Sequence, residues 1–333
     1  MIFHPGIQAL LLGSALTTSM LCYCAYESIR IIRNWDISSG SERQLELERR
    51  TYLVSTVMSY VLGFQLLSLF LFVYTADTLS PLFIGAMCAA GSLNVNGFGY
   101  SALVLKIVSC LLAGLWLIVN FTDNKAYDYP LIRKKYWLLL FMTPFLIVET
   151  GVQAGYLLGL RPNIITSCCG TLFSADAKTV MSDLLALPLS LSESAFFLSA
   201  PITIASGLYV YLKSKGAYFF SIASFIHFFI SIAALISFIS IYFYELPTHH
   251  CPFCILHQEY GYVGYPLYLA ILVSAVSGLG TGIINPFRNI ASLCNVIPRI
   301  QKRLALISIL SNSAFVLIAG YGILFSNLSM AAY

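Results

Sequence analysis

The sharpest motif in the sequence is His249-His250-Cys251-Pro252-Phe253-Cys254-Ile255-Leu256-His257-Gln258. Two cysteines spaced Cys-x-x-Cys have a clear use when they open a helix. The helix dipole and the unpaired N–H groups of the first turn stabilise a thiolate there and make it nucleophilic. Pro252 suits a first helical position, where its missing N–H costs nothing. On this reading Cys251 sits near the N-cap as the exposed attacking sulfur. Cys254, one turn inside, is the resolving or cofactor-facing sulfur. The imidazoles of His249, His250 and His257 would add positive charge or shuttle protons. The same stretch also fits a zinc or copper site with His249, His250, Cys251, Cys254 and His257 as ligands. A purely structural disulfide is the third reading, and the residues alone leave all three open.

The chain has nine cysteines. Cys168 and Cys169 are adjacent, and a disulfide between neighbours needs a distorted peptide and is easily reduced. Adjacent cysteines more often find separate partners, and Cys88, in a glycine-rich stretch, is one. A Cys88 link to Cys168 or Cys169 would form a loop pair able to exchange with Cys251–Cys254. Alternatively, Cys88 is a small buried hydrophobe.

These side chains need elements to hold them, and composition decides which. Of 333 residues, 59% are hydrophobic and 10% are charged, with a mean hydropathy of +0.83. An ordinary soluble domain carries about 25% charge, and one core cannot hide so much apolar surface. The fold class is therefore all-α, a polytopic integral membrane bundle in a lipid bilayer. A span needs about 20 apolar residues, and eight stretches qualify. They lie near 7–30, 52–74, 101–121, 136–159, 194–212, 217–244, 262–285 and 304–326. The runs are continuous rather than alternating, which excludes a β-barrel. The apolar part of 76–100 is too short to cross, so it reads as an interfacial or re-entrant hairpin. No soluble domain is left over, and 1–333 reads as one membrane domain.

Lysine and arginine orient the bundle, because cytoplasmic loops retain them. The connections after spans 1, 3, 5 and 7 hold fifteen of the 18, and the even-numbered connections hold Arg161 and Lys178. Odd connections are therefore expected in the cytoplasm, with even connections and both termini outside. That assignment puts Cys88, Cys168, Cys169, Cys251 and Cys254 on the extracytoplasmic side, where thiols can be held as disulfides. The basic residues are scattered over separate loops, so no nucleic-acid partner is expected.

The order of an outside loop with Cys168 and Cys169 after span 4, two helices, then Cys251-Pro252-Phe253-Cys254 opening span 7 resembles the vitamin K epoxide reductase family. In that family a four-helix bundle carries loop cysteines after its first helix and a Cys-x-x-Cys at the start of its fourth. Cys251-Pro252-Phe253-Cys254, with Gln258 and Tyr265-Pro266-Leu267 after it, is also similar to the DsbB-type thiol oxidases. The resemblance covers 136–285, a candidate redox unit. It implies electron transfer between thiols and a quinone, with loop cysteines as relay and an extracytoplasmic thioredoxin-like or other thiol protein as partner. The departures are eight spans rather than about four, adjacent loop cysteines, and no arginine after Gln258.

Ionisable side chains inside spans are costly and often functional. Lys106, Glu149 and His227 qualify, and Lys106 with Glu149 reads as a cross-helix pair. Ala270, Ser274 and Gly278 form a small-residue stripe that would let another helix approach span 7 closely. Besides the thiol oxidoreductase, two other functions fit these features. One is a metal-handling or transport protein using the histidine–cysteine cluster. The other is a non-catalytic subunit of a membrane complex.

Overall fold

The structure is a computed structural model that describes residues 1–333 apart from 2, 38, 163, 167–188, 248 and 329–333. The described chain is helical, with an isolated parallel bridge between Ile84 and Ile165 as its β-pairing. Eight of its helical stretches are long and apolar enough to cross a membrane. The helices are α1 (Pro5–Asn34), α2 (Glu42–Thr78), α3 (Ala89–Leu93), α4 (Gly99–Asp123), α5 (Ile132–Leu158), α6 (Leu189–Lys213), α7 (Ala217–Ala234), α8 (Ser240–Tyr244), α9 (Gly264–Ile283) and α10 (Val296–Phe325).

Most helices overrun the apolar windows read from sequence, because polar ends keep the backbone bonded as it leaves the hydrocarbon. Thus α2 begins ten residues before its apolar run, at Glu42. Its first turns are laced by Arg50, which meets Glu46 one turn back at 2.7 Å and Glu27 of α1 at 3.0 Å. Likewise α10 starts at Val296 and carries Arg299, Lys302 and Arg303 in its opening turns.

The chain divides into two compact units. The first comprises 1–77, 93–164 and 287–297, and so holds the helices α1, α2, α4 and α5. Its core joins Leu21 and Ile31 of α1, Met58 and Leu62 of α2, Trp116 of α4, and Tyr136 and Leu139 of α5. Two buried ion pairs cross this core. Lys106 Nζ lies 2.9 Å from Glu149 Oε1, and Lys135 Nζ lies 2.6 Å from Asp123 Oδ2. The pairing of Lys106 with Glu149 is the one expected from sequence.

The second unit comprises 78–92, 165–286 and 298–333. Here α6 packs on α7, and α7 on α9. Gly216 has φ +80°, which lets the chain reverse between α6 and α7. The small-residue stripe of α9 packs as its spacing predicts. A Cβ on Gly278 would run into the Ser224 side chain of α7, and Ser274 shares a hydroxyl contact of 3.2 Å with Ser308 of α10. The sixth span is not a uniform α-helix. After α7 the chain widens into a π-helical turn, Leu235–Ile239, before α8.

Candidate functional site

Cys88 belongs to the segment between α2 and α4. After a 3-10 turn at Ser80–Leu82, Gly85 takes φ +88°, a conformation an L side chain rarely adopts. A Cβ at Gly85 would also approach Thr166 O to 2.6 Å. The Thr166 N–H donates to Ile84 O at 2.9 Å, and its hydroxyl donates to Gly91 O at 3.0 Å. Cys88 lies between these two tethers, and it is 0% exposed, as are Ala89 and Ala90 after it. The segment is thus a set of short turns, exposed at Leu82, Ile84 and Met87 and buried from Cys88 to Leu93.

Cys251 and Cys254 lie in the connection from α8 to α9. Glu245 at φ +55° ends α8. Two tyrosines then hold the loop by its backbone: the Tyr244 hydroxyl donates to Cys251 O, and the Tyr268 hydroxyl donates to Pro252 O. The sequence expectation of a helix opened by Cys-x-x-Cys is corrected here. Cys254 begins a single 3-10 turn, Cys254–Leu256, and a second follows at Gln258–Tyr260. Consecutive positive φ values at Gly261 and Tyr262 then break the helical path, and α9 starts only at Gly264. Pro252 is therefore not a first helical residue, and the helix that follows the motif does not begin at Cys251. Cys251 is also not the exposed sulfur, since it is 0% exposed and Cys254 only 7%.

The structure instead brings together three sulfurs. Cys88 Sγ lies 3.4 Å from Cys251 Sγ, and the sulfurs of Cys88, Cys251 and Cys254 are all within 4.8 Å of one another. A disulfide needs a sulfur separation of about 2.05 Å, so a modest side-chain movement would join Cys88 to Cys251. Three thiolates on one metal at about 2.3 Å would lie about 4 Å apart, so the trio also fits a soft metal ion.

No protein-family model, curated protein or solved structure matches the chain.

The expected partners of Cys88, Cys168 and Cys169, lie outside the described residues. The histidines of the motif do not converge on the sulfurs. The His249 ring meets Tyr244 edge-on at 4.7 Å, and His257 Nδ1 lies 3.5 Å from Glu259 Oε2. The His250 ring lies beside the backbone of Ile236 and Ser237 in the π-helical turn, and its Nδ1 has no hydrogen-bond partner among the described residues. Among the described residues, the group able to hold a metal is Cys88, Cys251 and Cys254. The loop-holding roles of Tyr244 and Tyr268 are not visible in the sequence, where tyrosines near span ends read as interfacial anchors.

Burial, the larger cause, lowers the His249 imidazole below its ordinary value of 6.5, and nearby Cys88 partly opposes this. His250 is also lowered, first by burial and last by the neighbouring His249, against the carbonyl contacts that favour its charged form. The unfolded chain therefore takes up these protons first as pH falls. The neutral rings support the fold fully above about pH 6.5 and progressively less as pH falls through their folded values. Hydrogen–deuterium exchange of 249–263, corrected for intrinsic rates, is expected to be faster at about pH 5 than at about pH 7.5. The His250→Gln variant should lose most of that difference.

Proposed function

We propose that the protein is a membrane thiol–disulfide oxidoreductase whose exchanging sulfurs are Cys88, Cys251 and Cys254. The 3.4 Å approach of Cys88 Sγ to Cys251 Sγ, with Cys254 alongside, carries this reading. Starting from a Cys251–Cys254 disulfide, the Cys88 thiolate attacks Cys251 Sγ. The Cys88–Cys251 bond forms, the Cys251–Cys254 bond breaks, and Cys254 leaves as a thiolate that takes up the proton Cys88 released. No electrons enter or leave in that step, so the disulfide moves between the motif and the hairpin without a co-reactant.

Net oxidation of the dithiol needs a two-electron acceptor. The resemblance noted above proposes a quinone, which would take two electrons and two protons and leave one disulfide. Burial of the trio supports a role for access control: a partner thiol reaches it through Cys254, the least buried of the three, or through relay cysteines such as Cys168 and Cys169. The fifteen-to-two division of basic residues favours the extracytoplasmic side for this exchange, with both termini on that side and a thioredoxin-like or other thiol protein as partner.

The test is acid-quenched differential alkylation of the protein in its native membrane, followed by peptide mass spectrometry. Cells are expected to hold an oxidised fraction containing both Cys88–Cys251 and Cys251–Cys254 links, with one thiol of the three remaining. Three permanently reduced sulfurs with one zinc or copper ion per chain would instead establish the metal reading that the same convergence permits.

A further inference from the structure

His227 is the histidine placed inside a span, and its surroundings are built from three other polar side chains. Ser199 Oγ of α6 lies 2.9 Å from Nδ1. On the other ring nitrogen, Asn312 Oδ1 of α10 lies 2.9 Å from Nε2, and Ser231 Oγ lies 3.2 Å from it. The ring is 4% exposed. A neutral imidazole donates from one nitrogen and accepts at the other, and because Asn312 Oδ1 can only accept, this arrangement fits a ring that donates from Nε2 and accepts from the Ser199 hydroxyl at Nδ1.

Its neighbours are less well served. A small cavity lies beside the ring between α7, α9 and α10, lined by Ser224, His227, Ser231, Ser274 and Asn312 together with apolar side chains. Asn312 and Ser224 are each 2% exposed, yet Asn312 Nδ2 and Ser224 Oγ have no hydrogen-bond partner among the described residues. An unmet buried donor or acceptor costs about 1–3 kcal/mol, and both orphans border the same space. The cavity leaves about 10 Å³ open to a water-sized sphere, which is room for about one water. An apolar cavity of that size stays dry, but one with two orphaned polar groups and further hydroxyls supplies the partners a buried water requires.

We propose that this cavity is a water-binding site inside the bundle, in which one ordered water is held by the Asn312 amide and the Ser224 hydroxyl beside the His227 ring. His227 is the titratable side chain among the residues that line the cavity. The water accepts from Asn312 Nδ2–H and shares a hydrogen bond with Ser224 Oγ. This inference does not depend on the thiol reading.

The test uses full-length protein labelled with ¹⁵N-histidine in lipid nanodiscs, with magnetisation transferred from water to the His227 ring N–H by NMR. Transfer on the timescale of bound water is expected in the native chain. It should fall several-fold in Asn312→Leu, which removes the orphaned amide, or in Ser224→Ala, a milder change that keeps the backbone and packing. Absence of transfer in the native chain, or transfer unchanged in both variants, would overturn the proposal.

Discussion

Cys251→Ser is expected to reduce thiol–disulfide turnover by about 10³-fold or more, the scale seen when an obligatory nucleophile is removed. Cys251 is the sulfur common to both exchange partners, at 3.4 Å from Cys88 and inside the Cys-x-x-Cys with Cys254. Its removal should eliminate the Cys88–Cys251 and Cys251–Cys254 links together. The outer two substitutions should separate the steps. Cys88→Ser keeps the Cys251–Cys254 disulfide but cannot pass it to the hairpin. Cys254→Ser leaves Cys88–Cys251 without a resolving thiol, so that link accumulates under oxidising conditions. Serine is close to cysteine in size, and unchanged thermal unfolding of each variant would tie the losses to chemistry. Wild-type turnover in Cys251→Ser would remove the basis for the relay.

The largest expected stability effect lies in the first unit. Glu149 accepts from Lys106 Nζ at 2.9 Å and from Gln65 Nε2 at 2.7 Å, while Lys106 also donates to Ser68 Oγ at 3.2 Å. The two charged side chains are 1% and 3% exposed. Glu149→Leu leaves an uncompensated ammonium among α2, α4 and α5 and should cost about 3–5 kcal/mol. Lys106→Met should cost a similar amount by stranding the carboxylate. The double variant should recover much of the loss, because replacing both charges by apolar groups removes the desolvation penalty with them. Reversible unfolding in detergent would measure all three. Equal and additive losses would mean that the pair is not coupled.

These expectations differ in how far they were readable beforehand. Lys106 with Glu149 was legible, because two opposite charges in otherwise apolar spans have few alternatives to each other. Lys135 was not. In the sequence it is one of several basic residues after span 3, and it counts as a loop charge. In the structure it is fully buried in α5 against Asp123. Local patterning does not distinguish a lysine that snorkels to the headgroups from one that turns inward, because the difference lies in where another helix places its carboxylate.

The cysteine site shows the same division. Spacing singled out Cys251 and Cys254, and Cys88 as a candidate partner of Cys168 or Cys169, but it assigned the wrong local structure to the Cys-x-x-Cys. Gly261 and Gly264, either side of Tyr262-Val263, were the available signal that α9 starts late, since glycine punctuates helices and permits positive φ. The pairing of Cys88 with Cys251 carried no such signal. Those residues are 163 positions apart, and no periodicity encodes a contact between two turns.

Composition and the length of the apolar runs were therefore enough to determine an all-α membrane protein with eight helices able to span a bilayer. Hydrocarbon demands satisfied backbone and long apolar helices whatever their neighbours are. Tertiary structure alone decided which sulfur faces which, that all three are buried, and that tyrosine hydroxyls hold the backbone of the motif. Those outcomes depend on how separate segments pack in three dimensions, and short-range sequence does not carry that information.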